Sequence, residues 1–124
     1  MLAYFDWIPL AGNLVERTEA LIEQHNPTWN LRSRDSTYGL QLWLSQIRAA
    51  GFGAVELFGF DLAVSYAHEA WRGRIRASAG VGASLPPEKV AAFDHALAHL
   101  LTTDFPSDPQ WIPHLVFALL ARRP

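Results

Sequence analysis

Three arginines alternate along the segment His68-Glu69-Ala70-Trp71-Arg72-Gly73-Arg74-Ile75-Arg76. A guanidinium is planar and permanently charged, and it grips a carboxylate or phosphate through paired N–H donors. On a helix, His68 and Arg72 lie one turn apart, as do Arg72 and Arg76, while Arg74 points away from them. Trp71 offers a flat ring for a planar substrate to stack on. His68, Trp71, Arg72 and Arg76 therefore make a candidate lid over an anionic substrate. The competing reading is a solvated helix in which the arginines pair with Glu69 and Trp71 enters the core. A second candidate is Asp6-Trp7, which follows the apolar run Leu2–Phe5. Sheets in α/β folds place ligands beyond the carboxyl ends of their strands. Asp6 there either accepts a hydrogen bond from substrate or caps the following turn.

Other chemistries find less support. The chain has no cysteine, which removes disulfides, thiolate metal sites and cysteine nucleophiles. His95 and His99 share a helical face near Asp94, but no third residue has metal-ligand spacing, so no metal is expected. His25 reads as a loop residue and His114 as a structural histidine beside the last strand. A Gly-x-Ser-x-Gly elbow is absent, so a serine hydrolase has no support. Five tryptophans suggest stacking, yet a net charge of −2 lacks the basic field nucleic-acid binding needs.

The elements that must position these residues follow from periodicity. At 124 residues and 50% hydrophobic composition the chain is expected to form a single domain, 1–124, with a real core. Leu2–Phe5 reads as a buried strand. Asn13 caps a helix with Glu16 as its reciprocal partner, and Leu14, Thr18, Leu21 and Ile22 form its buried stripe. Glu16, Glu19 and Glu23 fall mainly off that stripe. The helix stops near Gln24, because Asn26 precedes Pro27. Residues 27–37 read as a loop. Leu40, Trp43, Leu44 and Ile47 mark a helix over about 38–50, which Gly51 closes. Ala54–Phe60 is the clearest strand. A helix from His68 to about Ala79 follows, then one begun by Pro86-Pro87 with Val90, Phe93, Leu97, Leu100 and Leu101 inward. Leu115–Ala121 is a closing buried strand. The helical crossover between the first two strands favours their pairing in parallel. The fold class is α/β, with about three strands and four helices.

Several stretches together resemble the C-terminal half of a class I S-adenosylmethionine-dependent methyltransferase. They are Phe5-Asp6-Trp7-Ile8-Pro9, His25-Asn26-Pro27-Thr28-Trp29, Ala50-Gly51-Phe52 before a strand, Ser65–Arg76, and the run Val116–Pro124 ending in Ala-Arg-Arg-Pro. The resemblance covers nearly the whole chain, and its most distinctive part is His-Glu-Ala-Trp-Arg-Gly-Arg. It implies a partial Rossmann-like sheet. Leu2–Phe5, Ala54–Phe60 and Leu115–Ala121 would be the fifth, sixth and seventh strands, the last antiparallel and inserted beside its neighbours. The family's glycine-rich turn and acidic strand end would lie before Met1. Gly51-Phe52-Gly53 precedes a strand, and Gly80-Val81-Gly82 sits between helices, so neither replaces that turn.

Two functions are thus expected from different classes. One is the substrate-side portion of a methyltransferase acting on a small molecule. S-adenosylmethionine would be the cofactor of the intact family but would not be bound by this chain alone. The other is a non-catalytic α/β binding or dimerisation module. Both imply a homodimer or a partner chain covering the open sheet edge, with no nucleic acid and no membrane. No apolar run is long enough to span a bilayer and the N-terminus is a poor signal peptide, so the expected compartment is the cytoplasm.

Overall fold

The computed structural model describes residues 1–30 and 36–123. Its elements run β1 (Leu2–Trp7), α1 (Leu14–His25), α2 (Ser36–Ala49), β2 (Gly53–Tyr66), α3 (His68–Arg76), α4 (Pro87–Asp104) and β3 (Gln110–Arg122). The described residues form an α/β fold, with a three-stranded sheet and four helices. The loop expected over 27–37 lies partly outside the described residues, as does Pro124.

The helix ends follow from local chemistry. Asn13 caps α1 by accepting from the Glu16 amide at 2.9 Å. The Glu16 carboxylate returns to the Gly12 amide at 2.6 Å, one residue earlier than a standard box, because the Asn13 amide already donates to the Leu10 carbonyl. Gly51, at φ 82°, ends α2. Its amide donates to the Arg48 carbonyl and the Phe52 amide to that of Ile47, which is the paired-bond glycine cap.

The sheet order is β1-β3-β2, and both flanking strands pair with β3 antiparallel. The crossover does carry the chain back in the same direction, but β1 and β2 do not touch as a parallel pair. β3 takes the place between them, because its apolar run is hydrogen-bonded on both sides. Pro113 lies inside this central strand and would ordinarily interrupt it. Its carbonyl accepts from the Ile8 amide, so its nitrogen also faces the β1 side, just past the end of β1. The missing N–H therefore leaves the β2 ladder intact. β2 runs on past Phe60 to Tyr66, and β3 starts at Gln110, so both strands are longer than their apolar cores.

Directly opposed residues share a face. Trp7, His114 and Leu62 form one row, and Tyr4, Phe117 and Gly59 another on the opposite face. The first face carries α1, α3 and α4 over a core of Leu14, Val15, Ile22, Trp71, Ile75, Val81, Phe93, Leu97, Leu101 and Ile112. The second face meets α2, where Trp43 packs edge-on against Tyr4 at 5.4 Å and beside Phe117 at 6.0 Å. Glu19 departs from the expected outer face of α1: it is buried and accepts from the Trp7 indole at 2.9 Å.

The turn between α3 and α4 is closed by glycines. A Cβ on Gly82 would sit 2.1 Å from the Arg76 carbonyl oxygen, and one on Gly80 would sit 2.9 Å from the Ile22 Cγ2. Backbone cannot yield as a side-chain tip can, so Gly82→Ala should lower stability by about 1–3 kcal/mol in urea unfolding. Gly53→Ala meets nothing within 4 Å and should change stability little. Equal behaviour of the two variants would contradict the packing described.

Candidate functional site

The sequence candidates fall into four places. Arg72 and Arg76 face α4, where Asp94 receives both. Arg72 grips it through Nε (3.0 Å) and Nη2 (2.5 Å), and Arg76 donates to it through Nη1 (2.8 Å). Glu69 accepts from the outer edge of each guanidinium, at 2.8 Å from both. Two cations and two anions thus close a ring that ties α3 to α4. Asp94 is the better shielded acid, and Arg72 first, then Arg76, holds its carboxyl below the usual carboxylate range. The donors that an anionic substrate would need are engaged within the protein.

His68 sits at the first turn of α3. Its Nε2 is 3.0 Å from the Phe105 carbonyl and 2.9 Å from that of Ser107. Both partners are acceptors, so Nε2 carries the proton. The His68 amide donates to Asp108 at 3.1 Å, which supplies the cap that Ala67 cannot. His68 thereby pins the 105–108 loop to α3.

Asp6 and Trp7 are neighbours in sequence and point to opposite faces of the sheet. Asp6 lies on the α2 side. It accepts from the Tyr4 hydroxyl at 2.6 Å and from the Trp7 amide at 3.0 Å. Burial, and then the bond to Asp6, push the Tyr4 phenol well above its ordinary value. Asp6, Leu115 and Asp61 form one row across the sheet, and with Tyr4, Trp7, Ile8 and Pro9 they line a small pocket of about 130 Å³.

Trp7, on the other face, meets Trp71 edge-on at 5.5 Å. Trp71 is fully buried and donates to the Thr18 hydroxyl at 3.2 Å, so its ring is core. Between them stands Arg74, the arginine that helical spacing turns away from the ring with Asp94. Its guanidinium carbon lies 4.9 Å from the Trp7 ring, 5.3 Å from Tyr66, 5.5 Å from Phe5 and 5.9 Å from Trp71. Its Nη1 donates to the Tyr66 hydroxyl and to His114 Nε2, the latter at 2.7 Å. His114 Nδ1 donates to the Ile112 carbonyl at 2.9 Å, so Nε2 is the free acceptor and the imidazole is neutral. No sequence pattern marks Arg74, Tyr66 and His114 as a group, since 40 residues separate Arg74 from His114.

Among the described residues, no group of histidines and carboxylates is arranged to hold a metal ion. No helix among them is long and apolar enough to cross a membrane.

Burial lowers the His114 pKa below its ordinary 6.5, the Ile112 bond opposes this, and the Arg74 charge adds to the lowering. The unfolded chain therefore takes up a proton near pH 6.5 that the folded chain refuses. Folding keeps this contribution above that pH and loses it as pH falls through the folded value. Thermal unfolding should show a falling midpoint as pH is lowered from 7. The His114→Gln variant, weaker throughout, should lack that component. A midpoint independent of pH between 7 and 5 would contradict the neutral assignment. The sequence matches no protein-family model, and no curated protein matches it significantly.

Proposed function

We propose that this chain is the substrate-side portion of a class I S-adenosylmethionine-dependent methyltransferase acting on a small molecule. One observation carries the reading. Two strands that run the same way are joined by a helical crossover, and the last strand is inserted between them antiparallel. That is the arrangement the resemblance implies for its final three strands, and simple meanders of three antiparallel strands do not produce it.

The residues present do not fit the cofactor. A phosphate- or nucleotide-cradling glycine needs open space beside its backbone after a strand. The space beside Gly80 is filled by Ile22 and Trp29, and that beside Gly82 by the Arg76 carbonyl. Gly51 terminates α2. The chain's own part would be to bind and orient a substrate, and effective positioning supplies much of the rate in transfer reactions.

A second reading, an association module, has its own support. Leu57, Phe58, Phe60 and Leu62 are exposed along β2, whose outer edge has no strand beside it among the described residues. The run Phe58-Gly59-Phe60 is symmetric about Gly59, so antiparallel pairing with a second copy would oppose phenylalanines on one face. Such an edge invites pairing. The β1 edge is open too, but it is shorter.

Calorimetric titration with S-adenosylmethionine tests the first reading. The chain alone should give no binding. Coexpressed with a chain that supplies a strand followed by a glycine-rich turn, it should bind with micromolar affinity. Micromolar binding by the chain alone would overturn the misfit between the residues present and the cofactor, and a pair that binds nothing would remove the methyltransferase reading. Sedimentation equilibrium on the chain alone should show a dimer if β2 is the association edge. A strict monomer at high concentration would count against it.

A further inference from the structure

We infer that Arg74 is the anchor of a binding site for a small planar carboxylate, walled by Phe5, Trp7 and Tyr66. The inference rests on the side-chain geometry alone and stands whether or not the chain belongs to a methyltransferase. The internal comparison with Arg72 carries it. Arg72 holds Asp94 through Nε–H and Nη2–H, the two parallel donors on one side of the guanidinium. Arg74 spends only Nη1, on Tyr66 and His114. Its Nε–H and Nη2 group have no acceptor among the described residues, and no carboxylate there lies within ion-pair distance. The same two-pronged grip that α3 fills with a protein carboxylate on one side is left open on the other.

The surroundings favour a ligand over solvent. Arg74 is half-buried, so part of its hydration has been removed without a counter-ion in return. The Tyr66 and His114 contacts fix the plane of the guanidinium, which reduces the ordering a ligand would otherwise have to impose. His114 is neutral, so it neither repels a cation nor supplies a second positive charge. One guanidinium facing one anionic group suits a carboxylate better than a phosphate dianion. Phe5 is 47% exposed and lies stacked on His114 at 4.4 Å, forming an open aromatic rim beside the charge. A flat apolar body attached to the carboxylate would rest against it.

Position supports the same conclusion. Trp7 ends β1, with Phe5 two residues before it, and Tyr66 ends β2, four residues beyond the Leu62 that shares the Trp7 row. These two strands point the same way, so the site lies toward their carboxyl ends, the side on which α/β sheets hold ligands.

Benzoate is the simplest test ligand. Its titration into the intact chain should quench tryptophan fluorescence from Trp7 at millimolar concentration or below, and should shift the Arg74 Nε–H resonance in NMR spectra. Benzamide, the neutral analogue, should do neither. Arg74→Lys keeps the charge but loses the parallel donors, and should weaken benzoate roughly tenfold or more. Arg72→Lys should leave the affinity unchanged. Inorganic phosphate should compete poorly. The site is overturned if the Arg74 resonance is indifferent to benzoate, a reading that needs no variant to fold. It is also overturned if benzamide binds as well, or if Arg74→Lys binds benzoate undiminished. Phosphate binding more tightly than benzoate would replace the carboxylate assignment with an oxyanion one and contradict the proposal as stated.

Discussion

Among the described residues β3 is the only strand that touches either of the others, and the molecule depends on its being paired along both edges. Alternate residues of β3 direct their backbone groups to β1 and to β2, so neither ladder can be lost without orphaning buried amides and carbonyls. The row structure follows from this. His114 is held between Trp7 and Leu62, and Leu115 between Asp6 and Asp61. Because successive residues alternate faces, one strand delivers an imidazole to the α3 side and an apolar floor to the pocket beside Asp6. Shifting β3 by a single residue would exchange the two faces and dismantle both.

On this frame, α3 divides its charges by direction. Helical spacing sends Arg72 and Arg76 to α4, where Asp94 neutralises them together with Glu69 of α3 itself, and sends Arg74 to the sheet. The first pair is a fastener between helices. The third arginine is held by rings and by neutral hydrogen-bond partners, which position it without satisfying its charge. A partly shielded cation among aromatic rings is stabilised by their quadrupoles. It still retains donors for an anion. Structural and receptive roles thus coexist on one short helix, and the distinction lies in which neighbours bring carboxylates.

How much of this could be read from sequence depends on distance along the chain. The α1 start was legible because Asn13 and Glu16 act within one turn. The α2 end was legible because Gly51 alone can take the left-handed turn there. The apolar stripes of α2 and α4 were legible for the same local reason. Strand order was not, because a helical crossover fixes the direction of β2 relative to β1 and leaves open whether a later strand enters between them. Pro113 misleads for a related reason: whether it breaks a strand depends on which edge its nitrogen faces. Helical spacing places Glu19 mainly off the apolar stripe of α1 and turns Arg74 away from Arg72 and Arg76, but it names no partner for either. Each meets the indole of Trp7, a partner that no spacing rule connects to them. The substrate-site candidates Asp6, Trp7, His68, Trp71, Arg72 and Arg76 do not gather in one site: Arg72 and Arg76 meet Asp94, His68 holds the 105–108 loop, Asp6 lies on the α2 face, and Trp7 and Trp71 meet on the other. The residues that gather around Arg74 come from both ends of the chain.

The reading of function rests on the insertion of β3, and NMR tests it most directly. Opposed residues that do not exchange backbone hydrogen bonds bring their Hα protons close in antiparallel sheets. The Ile8–Pro113 bond sets the phase, which makes Phe5 with Val116 and Asp61 with Leu115 such pairs. Strong Hα–Hα contacts are predicted for both, with none between β1 and β2. Direct contacts between β1 and β2, with β3 at an edge, would contradict the account.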